Sequence, residues 1–176
     1  MYDIAIVGAG VTGAMTAREL SKYNLRIALL EKCNDVAMGA TKANSGIVHA
    51  GFDAAEGSLM AKMNVEGCAL MPETCNKLHV PYINNGSLVV AFSDDEMKHL
   101  EVLLERGKAN GVPEISMLSK EELLKKEPNL SPESFGALYA PTAGIVCPYE
   151  LTIAAAECAV SNGVESDACG RLTNCS

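Results

Sequence analysis

The sequence predicts an α/β fold that begins with a parallel sheet. A short apolar run rich in β-branched residues, Ile4–Val7, suits a strand that is buried on both faces. A glycine-rich turn and a helix with small residues on its inner side follow this run, and residues 26–30 are predicted to form a second strand. Strand, helix and strand in this order form the βαβ unit of parallel sheets.

The turn after the first strand contains three glycines, each with a distinct expected role. Gly8 permits a tight turn, Gly10 leaves room for a phosphate, and Gly13 lets the helix pack closely on the strand. The first N–H groups of the helix are unpaired and can bind an anion. Glu31 ends the second strand 18 residues after Gly13, close to the spacing at which an acid meets a ribose hydroxyl. These features predict a dinucleotide site, with a βαβ unit that binds no ligand as the alternative.

The segment after Glu31 is the second region where we expect residues of a functional site. Residues 32–53 are dense in Gly, Ala, Ser, Thr and Asn. Side chains of this size let the backbone come close to a ligand.

Residues 58–78 are predicted to form a helix. We expect Pro72 to kink this helix or to start a new turn, because proline lacks the N–H group that a helix interior uses. The candidate inward-facing residues are Leu59, Met63, Leu70 and Leu78.

Residues 80–147 are predicted to contain β-hairpins and surface helices. A turn signal at residues 84–86 separates two short strands, and a turn at residues 141–144 separates two more.

Three helices have recognisable start signals. Asp94 and Asp95 are expected to cap an amphipathic helix that runs to about residue 110. Ser119 and Glu122 form the pattern of a capping box. Pro148 begins an Ala-rich helix that is suited to packing on a sheet.

The composition narrows the class of protein. Of the 176 residues, 48% are hydrophobic, which is enough for a core. The formal net charge of −8 argues against nucleic acid as a partner, because no basic patch is present to neutralise its phosphates. A dinucleotide remains compatible with this charge, since backbone N–H groups can hold its pyrophosphate.

The cysteine pattern favours reduced thiols. The seven cysteines are odd in number and contain no C-x-x-C pair, so we expect neither a disulfide framework nor a metal site. Only Met1 and Tyr2 precede the first strand, and no apolar run reaches the length of a membrane span. We therefore expect a cytoplasmic location.

Three segments carry a resemblance to a known family. They read "YDIAIVGAGVTGAMTARELSKYNLRIALLEK", "GATKANSGIVHAGFD" and "GALYAPTAGIVCPYELTIAAAECAVSNGVE". The chain resembles the flavoprotein oxidoreductases related to glycerol-3-phosphate dehydrogenase and L-2-hydroxyglutarate oxidase, which have the D-amino-acid-oxidase-like fold. The similarity runs from residue 1 to residue 165, and "KANSGIVHAG" is far more specific than the glycine motif.

The resemblance implies FAD as the cofactor. The glycines and the acid alone do not distinguish FAD from NAD, because both dinucleotides contain the same pyrophosphate and ribose. The resemblance also implies that the three glycines contact the pyrophosphate and that Glu31 binds the adenosine ribose. The residues that would run beside the ribityl chain toward the isoalloxazine ring are Thr41, Asn44, Ser45 and Gly46.

The candidate catalytic residues implied by the resemblance are His49 and Ser45. His49 would lie near the reactive side of the flavin, where a neutral imidazole could accept the hydroxyl proton of an alcohol substrate. The alternative is that His49 is a hydrogen-bonded structural residue. His79 and His99 are expected to be structural or exposed.

The end of the chain departs from the family pattern. Family members continue into a further strand of the dinucleotide sheet, whereas "SDACGRLTNCS" lacks the apolar alternation of a strand. We therefore expect an incomplete, Rossmann-like FAD-binding domain that corresponds to the N-terminal part of a larger enzyme. Its predicted parts are an FAD-binding core (1–79), an inserted part of a substrate domain (80–147), a returning helix (148–165) and a divergent tail (166–176).

Two functions are compatible with the sequence. The first is an FAD-dependent oxidoreductase that oxidises a small hydroxy compound, glycerol 3-phosphate or a 2-hydroxy acid, by hydride transfer to flavin. The second is a non-catalytic dinucleotide-binding fragment that needs a second polypeptide. An uncovered sheet edge in an incomplete domain would favour a completing polypeptide or an oligomer.

Overall fold

The computed structural model describes residues 1–168. Its elements, in chain order, are β1 (Ile4–Val7), α1 (Val11–Leu20), β2 (Ile27–Glu31), a 3-10 turn (Ala40–Lys42), β3 (Ile47–Val48), α2 (Leu59–Leu78), β4 (Tyr82–Ile83), β5 (Ser87–Ala91), α3 (Asp94–Ala109), β6 (Ser116–Ser119), α4 (Lys120–Lys126), β7 (Gly136–Ala140), β8 (Gly144–Val146), α5 (Pro148–Ser161) and β9 (Glu165–Ala168). The chain divides into two compact units. Of the described residues, the first unit contains 1–46, 74–81 and 146–168, and the second contains 47–73 and 82–145.

The first unit contains the predicted parallel sheet, in the order β1, β2, β9. The central strand β2 pairs in parallel with both neighbours, with Ile27 opposite Ile4 and Ala28 opposite Glu165. The α/β prediction is therefore confirmed. Helices α1 and α5 pack together, and alanines dominate their buried faces. Small side chains allow the two helices to approach each other and the sheet closely.

The strand β9 corrects the prediction for the end of the chain. Residues 165–168 were expected to belong to a returning helix and a divergent tail, yet Glu165–Ala168 pair in parallel with β2. All four residues of β9 are exposed. The pairing uses backbone groups and needs no apolar side chains, so the lack of apolar alternation did not exclude a strand. The rest of the predicted tail, residues 169–176, lies outside the described residues.

The second unit has an antiparallel sheet in the order β5, β7, β6, which packs against α3. Its core contains large apolar residues: Phe52, Leu100, Leu103, Ile115 and Leu138. A further three-stranded sheet has the order β3, β8, β4. The predicted strands β4, β5, β7 and β8 all form, but the predicted hairpins do not, because β4 and β5 belong to different sheets, as do β7 and β8. The turns at residues 84–86 and 141–144 connect sheets.

Helix α2 buries a different face from the one predicted. Leu59, Met63 and Leu70 were expected to face inward, but they are 72%, 47% and 60% exposed, whereas Leu78 packs against the core of the first unit. The buried residues are Ala61, Cys68 and Cys75, spaced seven residues apart. Pro72 lies inside this helix, which continues to Leu78.

The helix starts largely follow the sequence signals. Ser119 and Glu122 form the predicted capping box at α4, and Pro148 occupies the first turn of α5. The cap of α3 is Ser93, whose side chain accepts from the Glu96 N–H, rather than the predicted Asp94 and Asp95. Those two acids lie in the first turn of α3, where negative charge is favourable.

We predict that Gly13→Ala destabilises the chain by about 2 kcal/mol or more. A Cβ at Gly13 would overlap the backbone oxygen of Gly8, and backbone atoms cannot move aside cheaply. Urea unfolding followed by circular dichroism measures the change in the free energy of unfolding.

The matched control is Gly67→Ala, also within a helix, where the new Cβ would have no described atom within 4 Å other than those of its chain neighbours and of the helix's own backbone. That variant should be as stable as the wild type or gain up to about 1 kcal/mol. Equal stability of both variants would contradict close packing at Gly13.

Candidate functional site

The glycine turn between β1 and α1 has the predicted backbone geometry. Gly8 has φ +99°, a conformation that side chains rarely adopt, and its N–H donates to Leu30 O at 2.7 Å. Gly10 is the N-cap residue of α1 and has φ −70°, a conformation that other residues also adopt. A glycine at this position therefore leaves space and is not required for its conformational freedom. Gly13 lies against Gly8 O and the Ile6 side chain. The roles predicted for Gly8 in the turn and for Gly13 in packing are confirmed.

Two N–H groups of the turn are hydrogen-bonded to side chains from elsewhere in the first unit. The Ala9 N–H donates to Glu31 Oε2 at 2.8 Å. The Val11 N–H donates to Thr41 Oγ1 at 3.0 Å. The turn is therefore tied to the end of β2 and to the 3-10 turn.

Three further N–H groups at this end of α1 have no acceptor among residues 1–168. They belong to Gly10, Thr12 and Gly13. The first N–H groups of a helix lack partners within the helix, and the helix dipole gives this end a partial positive charge. Helix α1 has ten residues in all. The turn therefore offers donors without an acceptor at a helix start, which suits an anionic group such as a pyrophosphate.

Glu31 lies at the end of β2, as predicted, and its carboxylate joins two loops. Oε1 accepts from the Cys33 N–H at 2.9 Å, and Oε2 accepts from the Ala9 N–H at 2.8 Å. The hydrogen bonds from Cys33 and Ala9 hold the pKa of Glu31 below its ordinary value. The carboxylate is thus ionised at neutral pH, and each of its oxygens keeps further capacity to accept a hydroxyl.

Sequence reasoning missed Ala37, which holds the loop after β2 against the glycine turn. Its N–H donates to Ala9 O at 2.9 Å, it has φ +60°, and it is fully buried. A non-glycine residue in the left-handed region is uncommon and needs support from its surroundings. No sequence signal marks this alanine, because its conformation is imposed by tertiary packing.

The residues predicted to lie beside the ribityl chain form one hydrogen-bonded segment. Asn44 Nδ2 donates to Thr41 O at 2.6 Å, and Asn44 Oδ1 accepts from the Gly46 N–H at 2.8 Å. Gly46 has φ +68°, and its oxygen accepts from the Val146 N–H at 3.0 Å. Ser45 is exposed. All four predicted residues lie in the first unit with the glycine turn.

His49 belongs to the second unit. Its side chain is 59% exposed, and Nδ1 lies 3.5 Å from Asp53 Oδ2. The Asp53 side chain is itself 54% exposed, so the two side chains meet in solvent. His79 and His99 are exposed, as expected.

The described cysteines are free thiols. They are Cys33, Cys68, Cys75, Cys147 and Cys158. Burial raises the pKa of the thiols of Cys68 and Cys75, which makes them poor nucleophiles. Within residues 1–168, no group of three or more His, Cys, Asp or Glu side chains could hold a metal ion. In the same range, no helix combines the length and the apolar character needed to cross a membrane.

Known proteins match most of this chain. A family model described as "FAD dependent oxidoreductase" matches residues 3–166. A glycerol 3-phosphate dehydrogenase from Caloramator mitchellensis is 57% identical over 164 residues, which make up 93% of this chain and 34% of the relative. A mitochondrial L-2-hydroxyglutarate dehydrogenase from Dictyostelium discoideum is 44% identical over 149 residues, 83% of this chain and 33% of the relative.

A solved structure has the same fold. The dithionite-reduced L-alpha-glycerophosphate oxidase from Mycoplasma pneumoniae with FAD bound has a TM-score of 0.93 and 39% identity, covering 98% of this chain and 46% of that chain. The chain spans about a third of the length of the two curated relatives named above. The match over residues 3–166 shows that the chain belongs to the family of FAD-dependent oxidoreductases, whose cofactor is the one that the resemblance implies.

Proposed function

We propose that this chain is the FAD-binding part of an oxidoreductase that oxidises a small hydroxy compound, glycerol 3-phosphate or a 2-hydroxy acid. The observation that carries the proposal is the glycine turn, with three N–H groups lacking an acceptor among residues 1–168 and Glu31 bonded beside it. The substrate class follows the activities for which the two curated relatives are named. A cytoplasmic location is part of the proposal and is consistent with free thiols at the described cysteines.

The residues of the first unit fit FAD. The N–H groups of the turn would bind the pyrophosphate, because Gly10 has no side chain to occupy the approach. Glu31 would bind the adenosine ribose, since one N–H on each oxygen leaves lone pairs for a hydroxyl. Asn44, Ser45 and Gly46 would run along the ribityl chain.

The role of the protein in the chemical step would be to take a proton. Bound FAD supplies a hydride acceptor. His49 would accept the hydroxyl proton of the substrate, with Asp53 beside its Nδ1. Ser45 is a second candidate for contact with the reacting groups.

A second candidate function is a dinucleotide-binding polypeptide without activity of its own. It is favoured by the kind of contacts in the first unit, because the glycine turn and Glu31 account for binding and not for a chemical step. In that case a second polypeptide would complete the site. Purified chain that carries flavin, yet shows no flavin reduction by glycerol 3-phosphate or L-2-hydroxyglutarate, would support this candidate. Reduction by either compound would support the oxidoreductase.

We predict that Gly10→Val abolishes FAD binding by the chain. The branched side chain would fill the phosphate approach and press on Thr41 Oγ1, which lies 3.1 Å from an ideal Cβ at Gly10. Quenching of flavin fluorescence measures the affinity. Gly67→Val in α2 serves as a control for the added bulk, because that position is open. Wild-type affinity in Gly10→Val would refute the binding assignment.

We predict that Glu31→Gln lowers the affinity for FAD, ADP and adenosine alike, on the order of tenfold, because all three contain the adenosine ribose. Isothermal titration calorimetry measures each affinity. Glu56→Gln, at an exposed loop residue, is the control. Unchanged affinity for adenosine would remove Glu31 from the ribose site.

The same variant has a predicted pH signature. The pKa of Glu31 is lowered by folding, so its contribution to stability is complete above the ordinary glutamate pKa of about 4.3 and is lost as the pH falls through the lower folded-state pKa. The free energy of unfolding of the wild type should therefore fall more steeply than that of Glu31→Gln between about pH 5 and pH 3. If the free energies of unfolding of the wild type and of Glu31→Gln fell equally over this pH range, the two hydrogen bonds to Glu31 would not stabilise the folded chain.

We predict that His49→Asn slows flavin reduction by substrate by roughly two to four orders of magnitude while flavin content is retained. The test uses a chimera in which residues 1–166 replace the matched third of the Caloramator mitchellensis relative. His99→Asn, at an exposed histidine of the second unit, is the matched control. Loss of flavin with an unchanged reduction rate per bound flavin would assign His49 a structural role.

A further inference from the structure

Thr41 has a contact that its expected place beside the ribityl chain does not explain. The residue lies in the 3-10 turn Ala40–Lys42 and is only 8% exposed. Its Oγ1 accepts a hydrogen bond from the Val11 N–H at 3.0 Å. Val11 is the first residue of α1, 30 positions away in the chain.

This contact differs from the usual helix cap, in which the side chain of the N-cap residue accepts from the second or third N–H group, because Val11 is the first residue of α1. The N-cap residue of α1 is Gly10, which has no side chain that could accept from the first N–H groups. Thr41 supplies the missing hydroxyl from another segment. An ideal Cβ at Gly10 would lie 3.1 Å from Thr41 Oγ1, so a larger residue at Gly10 would displace this hydroxyl.

The loop after β2 therefore holds the turn at two points on either side of Gly10. Ala37 binds the oxygen of Ala9 at 2.9 Å, and Thr41 binds the nitrogen of Val11 at 3.0 Å. Both loop residues are buried. The direction of the N–H groups at the start of α1 is thus set by residues that lie outside the glycine motif.

We propose that Thr41 is a positioning residue for phosphate binding, which acts by fixing the first turn of α1 through the Val11 N–H. The proposal rests on the proposed function. The described residues offer no acceptor for the hydroxyl proton of Thr41, so this proton is available to an anion near the helix start. Thr41 thereby serves the diphosphate part of the cofactor, whereas Glu31 serves the ribose.

The test compares ADP, which carries a diphosphate, with adenosine, which does not. Calorimetric titrations use the 176-residue chain and its variants Thr41→Val and Thr41→Ser. The matched control is Thr152→Val, which removes the hydroxyl of another buried threonine in the same unit, one that donates to Pro148 O within α5. Thermal unfolding of each variant without ligand separates binding from stability.

Thr41→Val should lower the affinity for ADP about tenfold or more and leave the affinity for adenosine within about twofold of the wild type. Thr41→Ser should restore the affinity for ADP, because it retains the hydroxyl. Thr152→Val should bind both ligands as the wild type does. The proposal would be overturned if Thr41→Val bound ADP as tightly as Thr152→Val does, or more tightly than the wild type does.

Amide hydrogen exchange of the wild type gives an answer that does not depend on the folding of a variant. Without ligand, the protection factor of the Val11 N–H should be higher than those of the N–H groups of Gly10 and Thr12, because it alone of the three has an acceptor among the described residues. Equal protection factors would overturn the proposal. A wild-type chain that binds neither FAD nor ADP would refute the proposed function, an outcome that is distinct from both results on Thr41.

Discussion

The arrangement of the glycine turn depends on the two backbone hydrogen bonds of Ala9. Its N–H donates to Glu31 Oε2 at 2.8 Å, and its oxygen accepts from the Ala37 N–H at 2.9 Å. Ala9 and Ala37 are almost completely buried, so the loss of either bond costs roughly 1–3 kcal/mol. In a regular helix, the Ala9 oxygen would accept from Gly13, four residues later. Ala37 binds that oxygen instead, and the Gly13 N–H has no acceptor among the described residues.

The parts of the site that were predictable from the sequence are those with local causes. Gly8 is needed because its φ of +99° is accessible to few other residues, and Gly13 is needed because a Cβ would overlap a backbone oxygen. Glu31 was predictable from its place at the end of a strand. Ser119 and Glu122 similarly predict the start of α4, since both partners of a capping box lie within one turn.

The features that escaped sequence reasoning depend on which segments meet in the fold. Helix α2 buries Ala61 and Cys68 and exposes Leu70, because fit to the neighbouring surface outweighs hydrophobicity at this helix. Strand β9 forms through backbone pairing with β2, although all its residues are exposed. Ala37 and the contact of Thr41 with α1 were likewise invisible, because each joins residues that are far apart in the chain.

A structure of the chain crystallised with ADP would show whether the start of α1 binds the diphosphate of the cofactor. We expect a diphosphate oxygen about 2.7–3.2 Å from the backbone nitrogen of Gly10, Thr12 or Gly13, with the bond between Val11 and Thr41 intact. A diphosphate bound elsewhere on the chain, with none of these three nitrogens in contact with it, would show that the start of α1 is not the phosphate site.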